Sequence, residues 1–520
     1  MPVSLWAFFG GPSYRVSRPC DEDDLKVQTT EAGEPVPRQL EDRAPGSLSI
    51  IMKSVILYVF LVGIPLLFVF KIVQYGQSLT PDVVRVQPVA ASGPTTAGLM
   101  PHVLILLLQV GLVLALSRLV GWLFRWLRQP QVMGEMLAGI LLGPSVFGIV
   151  LPSLSAALFP PGSLGFLSAL SQIGLVFYMF LVGLRLEPDK LKSHSHVAVV
   201  TSHASIIVPF ALGNLLALYL YPRLSDASAP FIHFSLFVGT AMSITAFPVL
   251  ARILTDLDLV RTRVGSLAIA CAAVDDVSAW CILAGVILLV RSGSAGLPLW
   301  VTILGTIVFA GLMFFAVRPA LRRIGRFYGK NDRLSPNMLA LVMCLMIAAA
   351  SATEALGIHA LFGAFVFGVM MPKDSSLVAT LTEKLEGMTV VLLLPLFFAL
   401  TGLRTSLAIL TGASMWYYCL VIIGVAILGK LGGSMIAARM CGMPWREAGA
   451  LGILMNTRGL MELVVLNIGL DIGAISSSMF TMMVLMAILT TFMATPILEA
   501  IYPESMRSQE TPLNQGLEAA

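Results

Sequence analysis

The sequence predicts an all-α polytopic membrane protein, and two composition figures and one pattern support that fold class. Hydrophobic residues make up 57% of the 520-residue chain, and charged residues only 12%. Soluble domains carry about 25% charged residues, so an ordinary water-facing surface is excluded. Apolar segments of about 20 residues, the length that crosses a bilayer as a helix, follow one another through most of the chain. The net charge of +4 is explained by loop positions and indicates no nucleic-acid partner.

The first hundred residues divide into a tail, an anchor and a linker. Residues 1–50 are polar and partly acidic, which predicts a disordered tail. Residues 51–71 contain seventeen uncharged residues between Lys53 and Lys71. A signal peptide starting at Met52 is the alternative, but the nearest small-residue cleavage candidate lies far beyond the apolar run, which favours an uncleaved anchor helix. Residues 72–98, rich in Pro, Gly and Ser, are expected to form an extracytoplasmic linker.

Residues 99–502 are predicted to form one membrane domain with thirteen core spans, and residues 503–520 a short cytoplasmic tail. The spans are expected near 102–122, 132–151, 164–184, 197–221, 231–251, 264–290, 298–317, 338–356, 358–371, 388–403, 414–438, 447–469 and 473–500. With the anchor helix, the chain is expected to cross the membrane fourteen times.

Lysine and arginine set the orientation, because cytoplasmic loops carry an excess of both. One set of alternate loops holds eighteen of them, and the opposite set holds only Arg223, Arg291 and Arg404. The first set is therefore placed in the cytoplasm. Both termini are then expected to be cytoplasmic in a plasma-membrane (inner-membrane) protein.

Two aspartates lie near the middle of the predicted span 264–290. Asp275 and Asp276 are the only charges in it. An Asp at mid-membrane costs about 2.5–3.5 kcal/mol on insertion scales, so its default interpretation is functional. Adjacent helical residues point about 100° apart, so the two carboxylates can serve different partners. A buried carboxylate that binds either a proton or a cation suits proton-coupled exchange; a pair held silently by a basic residue is the alternative.

A single lysine, Lys430, is the only charge in residues 413–438. An unpaired ammonium at that depth would deprotonate or find an acid, and either Asp275 or Asp276 is a suitable partner. Snorkelling to the inner interface is the alternative.

Two predicted spans are interrupted. Span 231–251 contains Ser243-Ile244-Thr245-Ala246-Phe247-Pro248, where the proline removes a helix hydrogen bond. Span 447–469 contains Met455-Asn456-Thr457-Arg458-Gly459, followed by Glu462. Transporters use helices broken at mid-membrane to coordinate ions, although an ordinary kink is possible for either span alone. The spans are the fifth and twelfth, and this odd offset is what an inverted repeat requires.

Arg458 and Glu462 are four residues apart, a spacing that predicts an ion pair. A scaffold role and a role in the ion path are equally compatible with this spacing.

With these residues in place, the chain resembles the cation:proton antiporter superfamily. The resemblance is to the monovalent cation:proton antiporter-2 branch, with bacterial Na⁺/H⁺ antiporters and plant cation/H⁺ exchangers. It covers about residues 99–502. The motifs that carry it are QPQVMGE (129–135), LAGILLGPS (137–145), AVDDV (273–277), LPLFF (394–398), MPWRE (443–447), MNTRGL (455–460) and Glu462-Leu463.

The resemblance implies an inverted-repeat antiporter fold that works as an elevator-type homodimer, and not an enzyme. It implies that Asp276 carries the cation and proton, and that Asp275 pairs with Lys430. It also implies that hydroxyl and backbone groups of the broken helices, at Ser243, Thr245, Asn456 and Thr457, complete the monovalent cation site. The transported ions are Na⁺ or K⁺ and H⁺, and no cofactor is expected. The plant exchangers have Asn before the carrier Asp, whereas Asp275 occupies that position here, as in electrogenic bacterial antiporters.

Rival functions are a transport-silent membrane sensor and a channel-like cation pathway. A primary pump is not favoured, because no GxxxxGK[ST] motif occurs. None of the short outer loops resembles a channel filter. Two acids kept at mid-membrane argue against a silent sensor. The sequence therefore predicts a secondary monovalent cation:proton antiporter.

Overall fold

A computed structural model describes residues 63–81, 102–127, 129–185, 196–226, 229–260, 262–291, 299–323, 335–373 and 375–503. The predicted tail at residues 1–50, the predicted tail at residues 503–520 apart from its first residue, and most of the anchor and linker lie outside these ranges.

The described residues form a helical bundle. The helices are α1 (Ile64–Gly76), α2 (His102–Trp126), α3 (Gln131–Leu142), α4 (Phe147–Val150), α5 (Pro152–Leu158), α6 (Pro161–Arg185), α7 (His196–Leu224), α8 (Phe231–Ser243), α9 (Phe247–Asp256), α10 (Arg263–Arg291), α11 (Leu299–Leu312), α12 (Pro336–Ala355), α13 (Ala360–Met370), α14 (Ser375–Met388), α15 (Leu394–Arg404), α16 (Ala413–Ile427), α17 (Gly433–Met440), α18 (Trp445–Met455), α19 (Leu460–Asp471), α20 (Ser477–Phe492) and α21 (Ala494–Ile501). Short π-helical turns at Met313–Val317, Thr389–Leu393 and Leu428–Gly432 extend α11 and join α14 to α15 and α16 to α17.

Eleven helical segments in the described part of the chain are long and apolar enough to cross a membrane, and several of them join two consecutive helices, such as α8 with α9. The bent pair of α18 and α19 makes a twelfth if it is one span. This confirms the all-helical, polytopic fold class. The predicted total of thirteen core spans stays a prediction, because α13, which corresponds to the predicted span 358–371, has only eleven residues.

Burial separates a central layer from a peripheral one. In the span that contains α8 and α9, 78% of the most apolar window is buried, against 22% for α2 and 17% for the span from Trp300 to Arg323. An apolar helix that other helices do not cover faces lipid. The interrupted helices are therefore in the centre of the bundle.

The N-terminal helix α1 ends at Gly76, five residues beyond the predicted anchor boundary at 71. The reason is that Lys71 does not interrupt it: the side chain is exposed, and a lysine stem can lie along a helix while its charge stays in water. The first part of the predicted linker is therefore helical.

A glycine contact joins α3 to α15. A Cβ atom built on Gly402 would lie 2.1 Å from the Gly139 carbonyl carbon, and one on Gly139 would lie 2.6 Å from the Phe398 oxygen. Only glycine permits this backbone approach. The Gly-rich stretch at 137–145 therefore serves helix packing at this crossing.

Candidate functional site

The first interrupted helix breaks where the sequence predicts. Helix α8 ends at Ser243, and Ile244 and Ala246 are extended, with φ/ψ of −80°/137° and −90°/92°. Helix α9 then begins at Phe247, with Pro248 in its first turn, where a missing N–H leaves no hydrogen bond unmade. The break exposes backbone groups in the centre of the bundle.

The second interrupted helix breaks between Met455 and Leu460, and its halves are bent by 44°. Gly459 permits the close approach of α9, because a Cβ atom there would lie 2.8 Å from Val249 Cγ2. Both predicted broken helices are thus confirmed.

The two breaks meet and bond to each other. The Ala246 amide donates to the Thr457 carbonyl at 3.0 Å. The Thr245 hydroxyl reaches the Met455 carbonyl at 3.1 Å. The opposite break therefore satisfies the Thr457 carbonyl, and these contacts fix the crossing point of the two interrupted helices.

Asp275 lies beside this crossing and is surrounded by donors. It accepts hydrogen bonds from Ser202 Oγ at 2.5 Å, Ser205 Oγ at 2.6 Å and Thr245 Oγ1 at 2.7 Å. Lys430 Nζ lies 3.3 Å from its Oδ2 atom, and both side chains are fully buried. Four donors to one carboxylate hold it in place and compensate its charge.

Lys430 connects Asp275 to the first break. It lies in the π-helical turn between α16 and α17, an irregularity that is frequent at functional sites. Its ammonium also donates to the Ser205 carbonyl at 3.0 Å and to the Ser243 carbonyl. Ser243 thus contributes its carbonyl, while its hydroxyl bonds back to Thr240 at 2.8 Å.

Arg458 binds the end of α8. Its Nη1 donates to the Ala241 carbonyl at 2.8 Å and its Nη2 to the Met242 carbonyl at 2.9 Å. Together with Lys430 on Ser243, two cations occupy the last three carbonyls of α8, where the helix dipole is negative. Glu462 Oε2 lies 3.3 Å from Arg458 Nη1, and both side chains are fully buried. Arg458 itself lies in the break, so the pair spans the break and α19.

Asp276 has fewer hydrogen-bond partners than Asp275 among the described residues. It is 5% exposed, and its Oδ1 atom has no hydrogen-bond partner among the described residues. The main chain of Phe247, at the positive N-terminal end of α9, interacts with its carboxylate. Tyr178 of α6 is close enough to interact with it electrostatically. Asp276 therefore keeps a free ligand atom in the bundle interior.

Asn456 is a second buried polar residue whose side chain is unpaired among the described residues. It is 1% exposed, and neither its side-chain oxygen nor its nitrogen has a hydrogen-bond partner in the described part of the chain. The Thr457 hydroxyl, in contrast, donates to the Leu454 carbonyl at 2.8 Å. Buried polar groups are normally paired, so an unpaired amide beside a break is a candidate ligand.

Sequence reasoning missed Ser202, Ser205 and Tyr178. The two serines are three residues apart on α7 and so share one face, as Asp275 requires. That spacing was the available signal, but serines are ordinary in membrane helices and carry little information alone.

Helices that are interrupted at mid-membrane and cross beside buried charged residues are typical of membrane transporters. The fold and the site place this chain in that class. The chain belongs to the family described as "Sodium/hydrogen exchanger, transmembrane", whose model matches residues 112–502.

The chain is similar to several curated antiporters. It is 44% identical to the Na(+)/H(+) antiporter NhaS4 of Synechocystis over 401 residues, 77% of this chain and 98% of that protein. It is 42% identical to Cation/H(+) antiporter 17 of Arabidopsis thaliana, covering 76% of this chain and 48% of that protein. Identity to K(+)/H(+) antiporter 1 of Saccharomyces cerevisiae is 35%, over 77% of this chain and 47% of that protein. The chain thus spans about half the length of the plant and yeast relatives.

The fold matches a solved structure, the sodium proton antiporter MjNhaP1 from Methanocaldococcus jannaschii at pH 8. The TM-score is 0.52 at 16% identity, over 79% of this chain and 99% of that one. This match supports the fold.

Proposed function

We propose that this chain is a secondary monovalent cation:proton antiporter, in which Asp276 binds either the cation or the proton. The observation that carries the proposal is the free, buried Oδ1 atom of Asp276 beside a fully bonded Asp275. The relatives named as Na⁺/H⁺, K⁺/H⁺ and cation/H⁺ antiporters support the same activity.

The two aspartates have different roles in this proposal. Asp275 is held by three hydroxyls and Lys430, so it shapes the site and compensates charge. Asp276 supplies a carboxylate oxygen, and the free amide oxygen of Asn456 is a second ligand of the type that hard cations prefer. Na⁺ and K⁺ both fit this ligand chemistry, and no cofactor enters the proposal.

Exchange follows from competition at one carboxylate. A proton on Asp276 neutralises it and removes a ligand, whereas a bound cation excludes the proton. The proton and the cation each neutralise the same Asp276 carboxylate, which lowers the cost of moving that group through a low-dielectric interior. The proton gradient then drives cation movement in the opposite direction.

The elevator-type movement belongs to this proposal, and the bonds around Asp275 support it. They connect α7 (Ser202, Ser205), the first break (Thr245), α10 (Asp275) and the turn that carries Lys430. Elements tied by buried polar bonds move as one body. We further propose that both termini lie in the cytoplasm, which the loop charges support. The homodimer and the plasma-membrane location belong to the same proposal, and the homodimer is what the resemblance to cation:proton antiporters implies.

Transport in liposomes tests the proposal. The purified protein is reconstituted in vesicles that contain a pH-sensitive dye and an imposed pH gradient, and Na⁺, K⁺, Li⁺ or choline is added outside. We expect Na⁺ or K⁺ to dissipate the gradient and choline to leave it unchanged. A gradient insensitive to every cation would overturn the proposal and favour a transport-silent sensor. Cation flux without coupled proton movement would favour a channel-like pathway.

Charge movement is a separate prediction. Lys430 keeps two carbonyl partners besides Asp275, so the 3.3 Å ion pair can break without leaving the ammonium unbonded. Asp275 can then take up a proton beside the one on Asp276, and binding of one monovalent cation releases both protons. Two protons are exchanged for one cation, so we expect electrogenic transport. The measurement is sodium-dependent proton flux, or lithium-dependent flux if sodium is not carried. It is made at membrane potentials set by a gradient of a permeant lipophilic ion.

We expect both the rate and the end-point of this flux to follow the imposed voltage. Voltage dependence should be lost in Asp275→Asn. A wild-type flux indifferent to voltage would show one-for-one exchange and a permanent Asp275–Lys430 bridge.

A further inference from the structure

A cleft lined by both polar and apolar side chains opens at the end of the bundle opposite Arg185 and Lys373. Its volume is about 370 Å³ including its open mouth, and it lies between α6, α15 and α19, beside the start of α13. The polar lining residues are Ser168, Ser171, Gln172, His359, Arg404, Asn467 and Asp471. This end carries few lysines and arginines, so by loop charge it faces away from the cytoplasm.

An arginine closes the rim of this cleft. Arg404, the last residue of α15, donates from Nη1 to Asn467 Oδ1 at 3.0 Å and to Asp471 Oδ1 at 2.8 Å. Asn467 in turn donates to Thr401 Oγ1 at 2.9 Å. These bonds tie α15 to α19, the second half of an interrupted helix.

The deep end of the cleft lies close to the break in the second interrupted helix. Leu175, Phe397 and Val464 line the cleft and are nearly fully buried. Leu175 is three residues before Tyr178, which interacts electrostatically with Asp276. Val464 is one turn after Leu460, where α19 begins beyond the break. These buried apolar side chains therefore separate the open part of the cleft from the break in the second interrupted helix, about one helical turn away.

We propose that this cleft is the outer vestibule of the transport path and that Arg404 is a tethered cation that closes it. The inference rests on the proposed function. The Asp471 carboxylate and the Asn467 amide oxygen are the ligand types that a monovalent cation takes, and the guanidinium occupies both. An arriving cation displaces Arg404, and the α15–α19 contact is released.

The rim pair is suited to such an exchange. The side chains of Arg404 and Asp471 are 27% and 46% exposed. Ion pairs open to water are weak and are screened by salt, unlike the fully buried pairs at the crossing. Arg404 can therefore leave Asp471 without stranding a charge in the interior.

Thiol labelling in the cleft tests this proposal. Gln172, exposed and in the cleft lining, is changed to Cys in a chain whose own cysteines are replaced by serine. Labelling by a membrane-impermeant cationic thiol reagent, and by a neutral one, is measured from outside on right-side-out vesicles. The variants are Arg404→Gln, Arg404→Lys, and Arg404→Gln with Asp471→Asn. Arg223→Gln is the matched control. By its position in the sequence Arg223 lies at the same end of the bundle as Arg404, and it does not line the cleft.

We expect Arg404→Gln to speed cationic labelling about tenfold, because a positive charge no longer repels the reagent. Neutral labelling should change less, and Arg404→Lys and Arg223→Gln should stay close to the parent. Na⁺ or K⁺ should slow the reaction in Arg404→Gln, and Asp471→Asn should remove that protection.

Equal cationic labelling in the Arg404→Gln and Arg223→Gln proteins would overturn the proposal, as would protection that survives Asp471→Asn. A variant that fails to fold shows itself by altered neutral labelling. Arg404→Met, which also removes the positive charge, then carries the test, and its cationic labelling must exceed that of Arg223→Gln. Labelling needs no transport, so failure here is distinguishable from failure of the antiport assay.

Discussion

Replacing Asp276 by Asn is expected to abolish cation-for-proton exchange while leaving folded protein in the membrane. The amide has nearly the shape of the carboxylate, and Oδ1 loses no hydrogen bond, because it has none among the described residues. An amide cannot accept and release a proton near neutral pH, and it lacks the charge that attracts a cation. Flux in liposomes should fall to the level of empty vesicles, and the amount of protein should be unchanged.

Asp258→Asn is the matched control for that variant. Asp258 is exposed, lies outside the bundle interior and has φ of 54°, a conformation that Asn adopts as readily as Asp. The Asp258→Asn protein should retain wild-type flux. Substantial exchange by Asp276→Asn would remove Asp276 as the carrier and return attention to Asp275.

Replacing Arg458 by Ala is expected to destabilise the fold by about 3–5 kcal/mol, the loss typical of breaking a buried pair by removing one partner. The variant leaves the Glu462 carboxylate buried without its cation and frees the Ala241 and Met242 carbonyls. The arginine thus holds the first interrupted helix to the second. A fall in the thermal unfolding midpoint of the purified protein in detergent measures this loss.

Two further variants, Arg458→Lys and Glu462→Gln, distinguish the contribution of the ion pair to stability from that of the two hydrogen bonds to carbonyls. Arg458→Lys keeps the charge but cannot reach two carbonyls with two planar N–H groups, so we expect intermediate stability. Glu462→Gln should destabilise less than Arg458→Ala, because Arg458 loses its counter-charge but keeps its bonds to the Ala241 and Met242 carbonyls. If Arg458→Ala unfolds at the wild-type temperature, the scaffold role assigned to this arginine is wrong.

Hydropathy and local chemistry predicted much of this fold. The long spans are uncharged, and membrane helices must satisfy their backbone internally, so their positions follow from composition. Pro248 and Gly459 marked the two breaks because one removes a donor and the other permits close packing. The high cost of a buried ammonium indicated an acidic partner for Lys430, which the structure places 3.3 Å from Asp275.

The donor set around Asp275 was beyond sequence reasoning. A serine in a membrane helix satisfies itself by bonding to a carbonyl one turn back, so Ser202 and Ser205 give no warning of their role. Backbone carbonyls such as those of Ala241 and Met242 have no sequence signature at all. The periodicity of a sequence also predicts which face of a helix is buried, but not which other helix packs against that face. The proximity of Tyr178 on α6 to Asp276 was therefore not predicted.

The central claim is that proton and cation share Asp276, and proton release on cation binding tests it most directly. Na⁺ or K⁺ is added to the purified protein in weakly buffered detergent solution, and released protons and the apparent cation affinity are measured from acid to neutral pH. We expect cation binding to release protons and the affinity to fall as the pH drops, by up to about tenfold per pH unit when one proton is displaced. Both effects should vanish in Asp276→Asn. Cation binding with no proton release, and with one affinity at acid and neutral pH, would contradict shared occupancy.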